Sequence, residues 1–253
     1  MMAKKSTGNG KSTLNLDKIA GRIQVELDKK DEARESVLSA CRRIIRTSGN
    51  AIRTLHKGYD AENIKSAEAI LNEASGDLLS LSNIRTTHPD LYYGGTVEQA
   101  MQEAVEARAI LAIAAGKSLP NPDELCVTYS SYLLGLADVI GELRRMTLSE
   151  IRSKKFANAE KHFGMMEEIY DTLMQFDYPS AIVPIRQKQD AARGIIEKTM
   201  GELVMAMQRK DIEDKVTEFG GMLDEMEKPV KKKQKPAQKK ESDDLDIDSV
   251  WKK

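Results

Sequence analysis

The chain reads as an all-α protein, an antiparallel bundle of six to seven helices, and three observations carry that expectation. Ala, Leu, Glu, Lys, Met and Ile dominate, and aromatics make up 5% of the 253 residues. Straight-chain side chains lose little rotamer freedom in a helix, whereas aromatic and β-branched ones lose more. Apolar residues recur three and four positions apart through most of the chain, and no run alternates them with polar ones as a half-buried strand would.

A first helix is expected from about Leu16 to His56, its stronger half after Asp31 carrying Val37, Leu38, Ile44, Ile45, Ile52 and Leu55, with Gly58 ending it. Asp60 is placed to cap a second helix with the stripe Ile64, Ala67, Leu71, Ala74, Leu78 and Leu81. His88, Pro89, Asp90, Gly94 and Gly95 make a loop. Thr96, with Gln99 three residues on, is read as a capping box opening a third helix that runs to about Ala115, where Gly116 stops it. Asn121-Pro122-Asp123-Glu124 combines a capping side chain, Pro at the first helical position and a returning Glu, and is read as the start of the fourth helix. That helix carries Tyr132, Leu133, Leu136, Val139, Ile140 and Leu143. Helical segments are expected at about 148–176 and 181–209, split by Tyr178-Pro179, with a short continuation to Glu227.

Residues 14–228 are thereby one helical domain between two tails. Residues 1–13 are polar and basic, and 229–253 turn Lys-rich and then Asp-rich, so both are expected to be disordered for want of apolar surface to bury. In the first tail, Gly8-Asn9-Gly10-Lys11-Ser12-Thr13 imitates the end of a phosphate-binding loop. It lacks the earlier Gly, where Lys5 stands, and the preceding strand, so it is no ATPase signal.

Cys41 and Cys126 form no CxxC pair and no disulfide framework, which suits a reducing, cytoplasmic setting. The uncharged run Leu125–Ala137 contains Thr, Tyr and Ser and falls short of the roughly 20 apolar residues a bilayer span needs. No membrane partner is expected. Net charge is −1, so any nucleic-acid contact must come from a local basic patch.

Two acidic pairs stand out. Glu103 and Glu106 lie i, i+3 on the third helix, and Asp138 and Glu142 lie i, i+4 on the fourth, so each pair shares one helical face. Like charges so placed repel, and the usual relief, a cation four residues on, is missing: Ala107, Ile110 and Met146 occupy those positions, and Arg145 is the one close cation. These faces are otherwise partly apolar, where an uncompensated carboxylate is costly. Two such pairs on neighbouring helices are the oxygen-rich donor set that Mg²⁺ or Mn²⁺ takes, and that ion can activate water for phosphate hydrolysis. Spacing alone leaves the plainer reading open, in which these are solvated charges in a chain with 31% charged residues.

The stretch Tyr132-Leu133-Leu134-Gly135-Leu136-Ala137-Asp138-Val139-Ile140-Gly141-Glu142-Leu143-Arg144-Arg145 resembles the signature of the translin–TRAX family. Its D-x-x-G-E arrangement is similar to the TRAX branch, since the translin branch keeps the final Glu and lacks the Asp. Gln102 to Ala107 is likewise similar to the E-x-x-E-A stretch of TRAX, and Arg42–His56, Tyr170-Asp171 and Ile185–Leu203 agree more loosely. The resemblance implies a translin-like fold that assembles into a closed, hollow barrel, a hexamer or octamer. It also implies a metal-dependent endoribonuclease acting on single-stranded RNA held inside. It makes Glu103, Glu106, Asp138 and Glu142 the catalytic and metal-binding residues, with Glu106 and Glu142 the most direct ligands of Mg²⁺ or Mn²⁺. Because the chain carries the catalytic-type residues, a homo-oligomer is expected.

Between Ser36 and Gly58 there is no acidic residue, while Arg42, Arg46 and Arg53 fall near one helical face with His56 close by. Together with Arg145 these are the candidate contacts to single-stranded RNA, or to single-stranded DNA, through their phosphates. A solvated face balanced by acidic neighbours is the competing reading. His56, His88 and His162 have no partner at metal-ligand spacing, which argues against zinc. Two alternatives to the enzyme remain: a non-catalytic nucleic-acid-binding oligomer, as in the translin branch, and a structural bundle with incidental acidic pairs.

Overall fold

The computed structural model describes residues 15–227. The Met1–Thr13 tail, its phosphate-loop-like pattern and the 229–253 tail lie outside the described residues. Helices α1 (Leu16–Leu55), α2 (Ala61–Glu73), α3 (Ser75–Ile84), α4 (Pro89–Tyr92), α5 (Gly95–Ala114), α6 (Tyr129–Arg152), α7 (Phe156–Leu173) and α8 (Arg186–Glu227) follow one another, and no strand occurs among the described residues. The protein is all-α, with seven longer helices and the single turn α4 among the described residues. The chain divides into two compact units, the first ending at Met207 and the second beginning at Gln208.

In the first unit α5 lies against α1 and α6, and α7 packs on α6 after a three-residue turn. The core is continuous through these four helices: Ile44, Leu55, Met101, Ile110, Ile140, Leu143, Met146 and Met166 are almost entirely excluded from solvent. Each such side chain contributes roughly 1.5–3 kcal/mol on burial. The first half of α1 is solvated and leaves Leu16, Ile19, Ile23 and Leu27 exposed. The second unit, from Gln208, is helical to Glu227 and exposes Ile212, Val216 and Phe219.

Helix α8 joins the bundle through the buried Ala192 and Leu203 and through long polar side chains. Arg144 donates to Thr199 Oγ1 at 2.7 Å and pairs with Glu202 at 2.9 Å. Gln189 Nε2 donates to the carbonyls of Leu173 and Phe176, at and just beyond the end of α7. Arg193 donates to the Tyr170 hydroxyl at 3.0 Å.

Several boundaries differ from the sequence expectation, each for a local reason. The stripe from Ile64 to Leu81 is two helices that meet at Ala74. There the Leu71 carbonyl, freed from its helical partner, accepts from Arg108 of α5 at 2.8 Å, and the same guanidinium reaches Ser75 and Asn72. Residues 88–95 include the turn α4 with Pro89 at its start. Helix α5 begins at Gly95 without a side-chain cap, so the Thr96–Gln99 box does not form.

The Asn121–Glu124 box does form, with Glu124 N–H donating to Asn121 Oδ1 at 2.8 Å and Asn121 N–H to Glu124 Oε2 at 3.1 Å. It closes an isolated turn, however. Cys126 takes the left-handed region (φ 55°), Val127 N–H bonds back to the Pro122 carbonyl, and Thr128 caps the real helix by accepting from Ser131 N–H. The expected 148–176 segment is cut in the same way, since Lys154 adopts φ 57° and Lys155 N–H returns to the Glu150 carbonyl. Helix α8 starts at Arg186, beyond Pro184, and continues unbroken to Glu227.

Gly135 is where α6 meets α5. A methyl group there would lie 2.7 Å from Val105 Cβ and 2.8 Å from the Gln102 carbonyl oxygen. Gly135→Ala is therefore expected to destabilise the protein by about 1–3 kcal/mol through overpacking, read as a lower urea midpoint, while Gly141→Ala, where the added carbon meets nothing within 4 Å, is neutral or stabilising.

Candidate metal and nucleic-acid site

The Gly135 contact sets the acidic faces of α5 and α6 side by side. Glu103 and Glu106 flank Gln102 and Val105, and Asp138 and Glu142 follow Gly135 by about one and two turns. All four carboxylates are partly buried. Glu106 is affected most: burial first, then the charges of Asp138, Glu103 and Glu142, push its pKa up to about 8, against a smaller opposing pull from Lys188. Glu103 is raised as well, by burial and then by Asp138.

The two α6 carboxylates already have cationic or donor partners. Lys188 of α8 places Nζ 2.6 Å from Asp138 Oδ1 and also donates to the Leu134 carbonyl. His56, at the end of α1, has Nε2 2.5 Å from Glu142 Oε2, and its Nδ1 lies 3.1 Å from Arg145 Nη1. A guanidinium only donates, so Nδ1 must accept and the ring proton sits on Nε2, aimed at Glu142. Arg145 is also 3.9 Å from Glu142 Oε1. Beside them the Tyr59 hydroxyl is held protonated, its pKa pushed up to about 12 by burial and then by Glu142 and Glu150.

His56, 86 residues away, and Arg145, on the next turn of the same helix, thus join Glu142, and the four carboxylates form one electrostatic cluster. Arg42, Arg46 and Arg53 stand elsewhere along α1, exposed, and none of them forms an ion pair among the described residues. Arg53 donates to the Asn50 side chain. Their neighbour Arg43 is taken up by Asp77 in a two-pronged contact of 2.9 and 2.5 Å. Lys188 and Tyr59 escaped the sequence reading. Lys188 lies 50 residues from Asp138, and no local pattern links the two.

A hard divalent cation fits the charge and the oxygen chemistry of this cluster, since Glu106 faces three carboxylates and a single lysine. Among the described residues no three His, Cys, Asp or Glu side chains are already gathered tightly enough to hold one. Ion binding would require Glu142 or Asp138 to turn from its present partner.

Residues 32–200 match the Translin family. The chain belongs to the translin family. An uncharacterised protein of Methanocaldococcus jannaschii is 38% identical over 183 residues, 72% of this chain and 80% of that one. Among solved structures, AfC3PO in complex with duplex RNA matches with a TM-score of 0.67 and 31% identity, covering 75% of this chain and 97% of the other. The structure of AfC3PO alone matches with the same TM-score and coverage at 32% identity. Apo-NeC3PO, at 23% identity and a TM-score of 0.67 over 78% of this chain and all of that one, shares the fold. In this translin-family chain the matched span contains α5, α6, their four carboxylates and Lys188.

The raised pKa of Glu106 has a measurable consequence. Its proton is held more tightly in the folded than in the unfolded chain, so its stabilising contribution is complete below the ordinary value of 4.5 and is lost as pH rises through about 8. Glu106→Gln, which is neutral at every pH, should unfold in urea like the native chain below 4.5 and be more stable above 8 by roughly 1–3 kcal/mol, with EDTA present throughout. Equal pH profiles for the two proteins would mean that Glu106 is not squeezed by its neighbours.

Proposed function

We propose that the protein is a Mg²⁺- or Mn²⁺-dependent endoribonuclease of the TRAX type, cutting single-stranded RNA bound inside a hollow homo-oligomer in the cytoplasm. The observation that carries this reading is Glu106, a partly buried carboxylate facing three others and a single lysine. A cluster left under such strain in the folded protein calls for a cation. Family membership and the likeness to AfC3PO bound to duplex RNA support an RNA ligand. The exposed Leu16, Ile19, Ile23 and Leu27 on α1 support self-association, since apolar side chains at helical spacing are what a subunit contact covers. Two free thiols fit the reducing compartment, and no described helix is long and apolar enough to cross a membrane.

Glu103, Glu106, Asp138 and Glu142 would hold the ion, which when bound supplies positive charge to a phosphate oxygen and lowers the pKa of the attacking water. The chain's own groups prepare the rest. His56 holds Glu142 in place through its Nε2 proton, and Arg145 fixes that tautomer from the other ring nitrogen. Arg145 is mostly exposed and has donors to spare for a phosphate oxygen. Lys188 neutralises Asp138. Arg42, Arg46 and Arg53, with no acidic partners among the described residues, are available to the strand's phosphates.

A second reading has its own observation. Asp138 and Glu142 are already satisfied by Lys188 and His56, an arrangement suited to a non-catalytic single-stranded RNA- or DNA-binding oligomer. Labelled single-stranded RNA incubated with the purified chain separates the two. Cutting with Mg²⁺ or Mn²⁺ that stops with EDTA, and falls at least about 100-fold in Glu106→Gln/Glu142→Gln with RNA binding kept, is the expected result. Tight binding without cutting under any of these conditions would sink the enzyme and leave the binding module.

A further inference from the structure

Where α1 and α6 end, the chain forms an open cavity of about 340 Å³. Its charged lining is Lys57 from the turn after α1, Arg145 and Arg152 from α6, and Lys155 from the turn after it; Ser149 and Ser153 add two hydroxyls. One acid shares the wall. Glu150 is 12% exposed at its side chain, its Oε2 has no hydrogen bond, and the Lys155 ammonium lies 4.0 Å away. Lys57 and Arg152 have no ion-pair partner among the described residues. Four cations and two hydroxyls against one carboxylate, in a concave space, are what a doubly charged phosphate group would find complementary.

The cavity is not isolated from the carboxylate cluster. His56 and Arg145 belong to both, His56 touching Glu142 on one side and lining the cavity on the other. A group held here therefore lies next to a strand placed across Glu142. Tyr59 closes the cavity wall with a hydroxyl that remains a donor at neutral pH.

We propose that this cavity is a subsite for the terminal phosphate of an RNA strand whose backbone runs across the carboxylate cluster, with Arg152 and Lys155 as its principal contacts. A strand end carries a dianionic monoester, whereas an internal phosphate carries one charge, so the excess of cations favours the end. The subsite rests on the RNA reading given above. Both ends of helices α1 and α6 that meet here are C-terminal, and cations are favourable at such ends in any case. The experiment must therefore read a ligand effect and not stability.

Affinities would be measured for one oligouridylate in three forms, with a 5′-phosphate, with a 3′-phosphate, and with hydroxyls at both ends, in EDTA to prevent cutting. One phosphorylated form is expected to bind at least about tenfold more tightly than the hydroxyl form, and added inorganic phosphate should erode that preference. In Arg152→Ala/Lys155→Ala the ratio should collapse towards one, while Arg152→Lys/Lys155→Arg should keep it. A ratio unaffected by the alanine variant, or three equal affinities in the native chain, overturns the subsite while leaving the RNA reading intact. Failure of all three forms to bind overturns both.

Discussion

Helices α5 and α6 come together at Gly135, where only a hydrogen atom separates the backbone of one from Val105 and the Gln102 carbonyl of the other. The placement of the acidic side chains depends on that contact. Glu103 and Glu106 project beside the contact residues on one helix, Asp138 and Glu142 just beyond Gly135 on the other, so close packing of the backbones also brings like charges together. Repulsion between neighbouring exposed charges on a helix costs a few tenths of a kcal/mol, and burial makes it larger. The apolar residues buried on the same two helices, Met101, Ala104, Val105, Ile110, Leu134, Val139, Ile140 and Leu143, outweigh it.

Relief of that repulsion is uneven. Lys188 reaches Asp138 from α8, and His56, steadied by Arg145, reaches Glu142 from α1. Both partners act on the α6 side. The α5 pair gains much less, and Glu106, the deeper of the two electrostatically, responds by holding its proton. The asymmetry leaves the unrelieved charge on the α5 side of the cluster. It also gives α8 a role at the site although it lies far from α5 and α6 in sequence, since the helix that carries Lys188 is tied down by Arg144, Gln189 and Arg193.

The same helix ends serve two regions. His56 closes α1 and Arg145 lies about two turns before the end of α6, so the groups that orient Glu142 also form the edge of the basic cavity beyond. Lys155 enters that cavity because Lys154 turns the chain in the left-handed region instead of extending α6. A conformation more usual for glycine is thus met by a lysine, at a modest cost in backbone strain, and the turn delivers the next lysine to the cavity wall.

What local chemistry determined was readable residue by residue. Helical periodicity set the fold class, Asp60 caps α2 as expected with its side chain accepting from Asn63 N–H, and Gly116 stops α5 at φ 66°. The i, i+3 and i, i+4 spacing of the carboxylates put each pair on one face, because a helix's own geometry decides that. Stops made by Cys126 and Lys154 were not readable, since neither residue advertises a left-handed conformation. The break at Ala74 was hidden as well, because the guanidinium that caps it comes from α5. Tertiary packing alone decided that the two acidic faces meet at Gly135, that Lys188 and His56 each take one carboxylate, and that Glu106 is left to keep its proton. Those outcomes depend on contacts between segments 30 to 86 residues apart, and charge interactions follow distance in space, not separation along the chain.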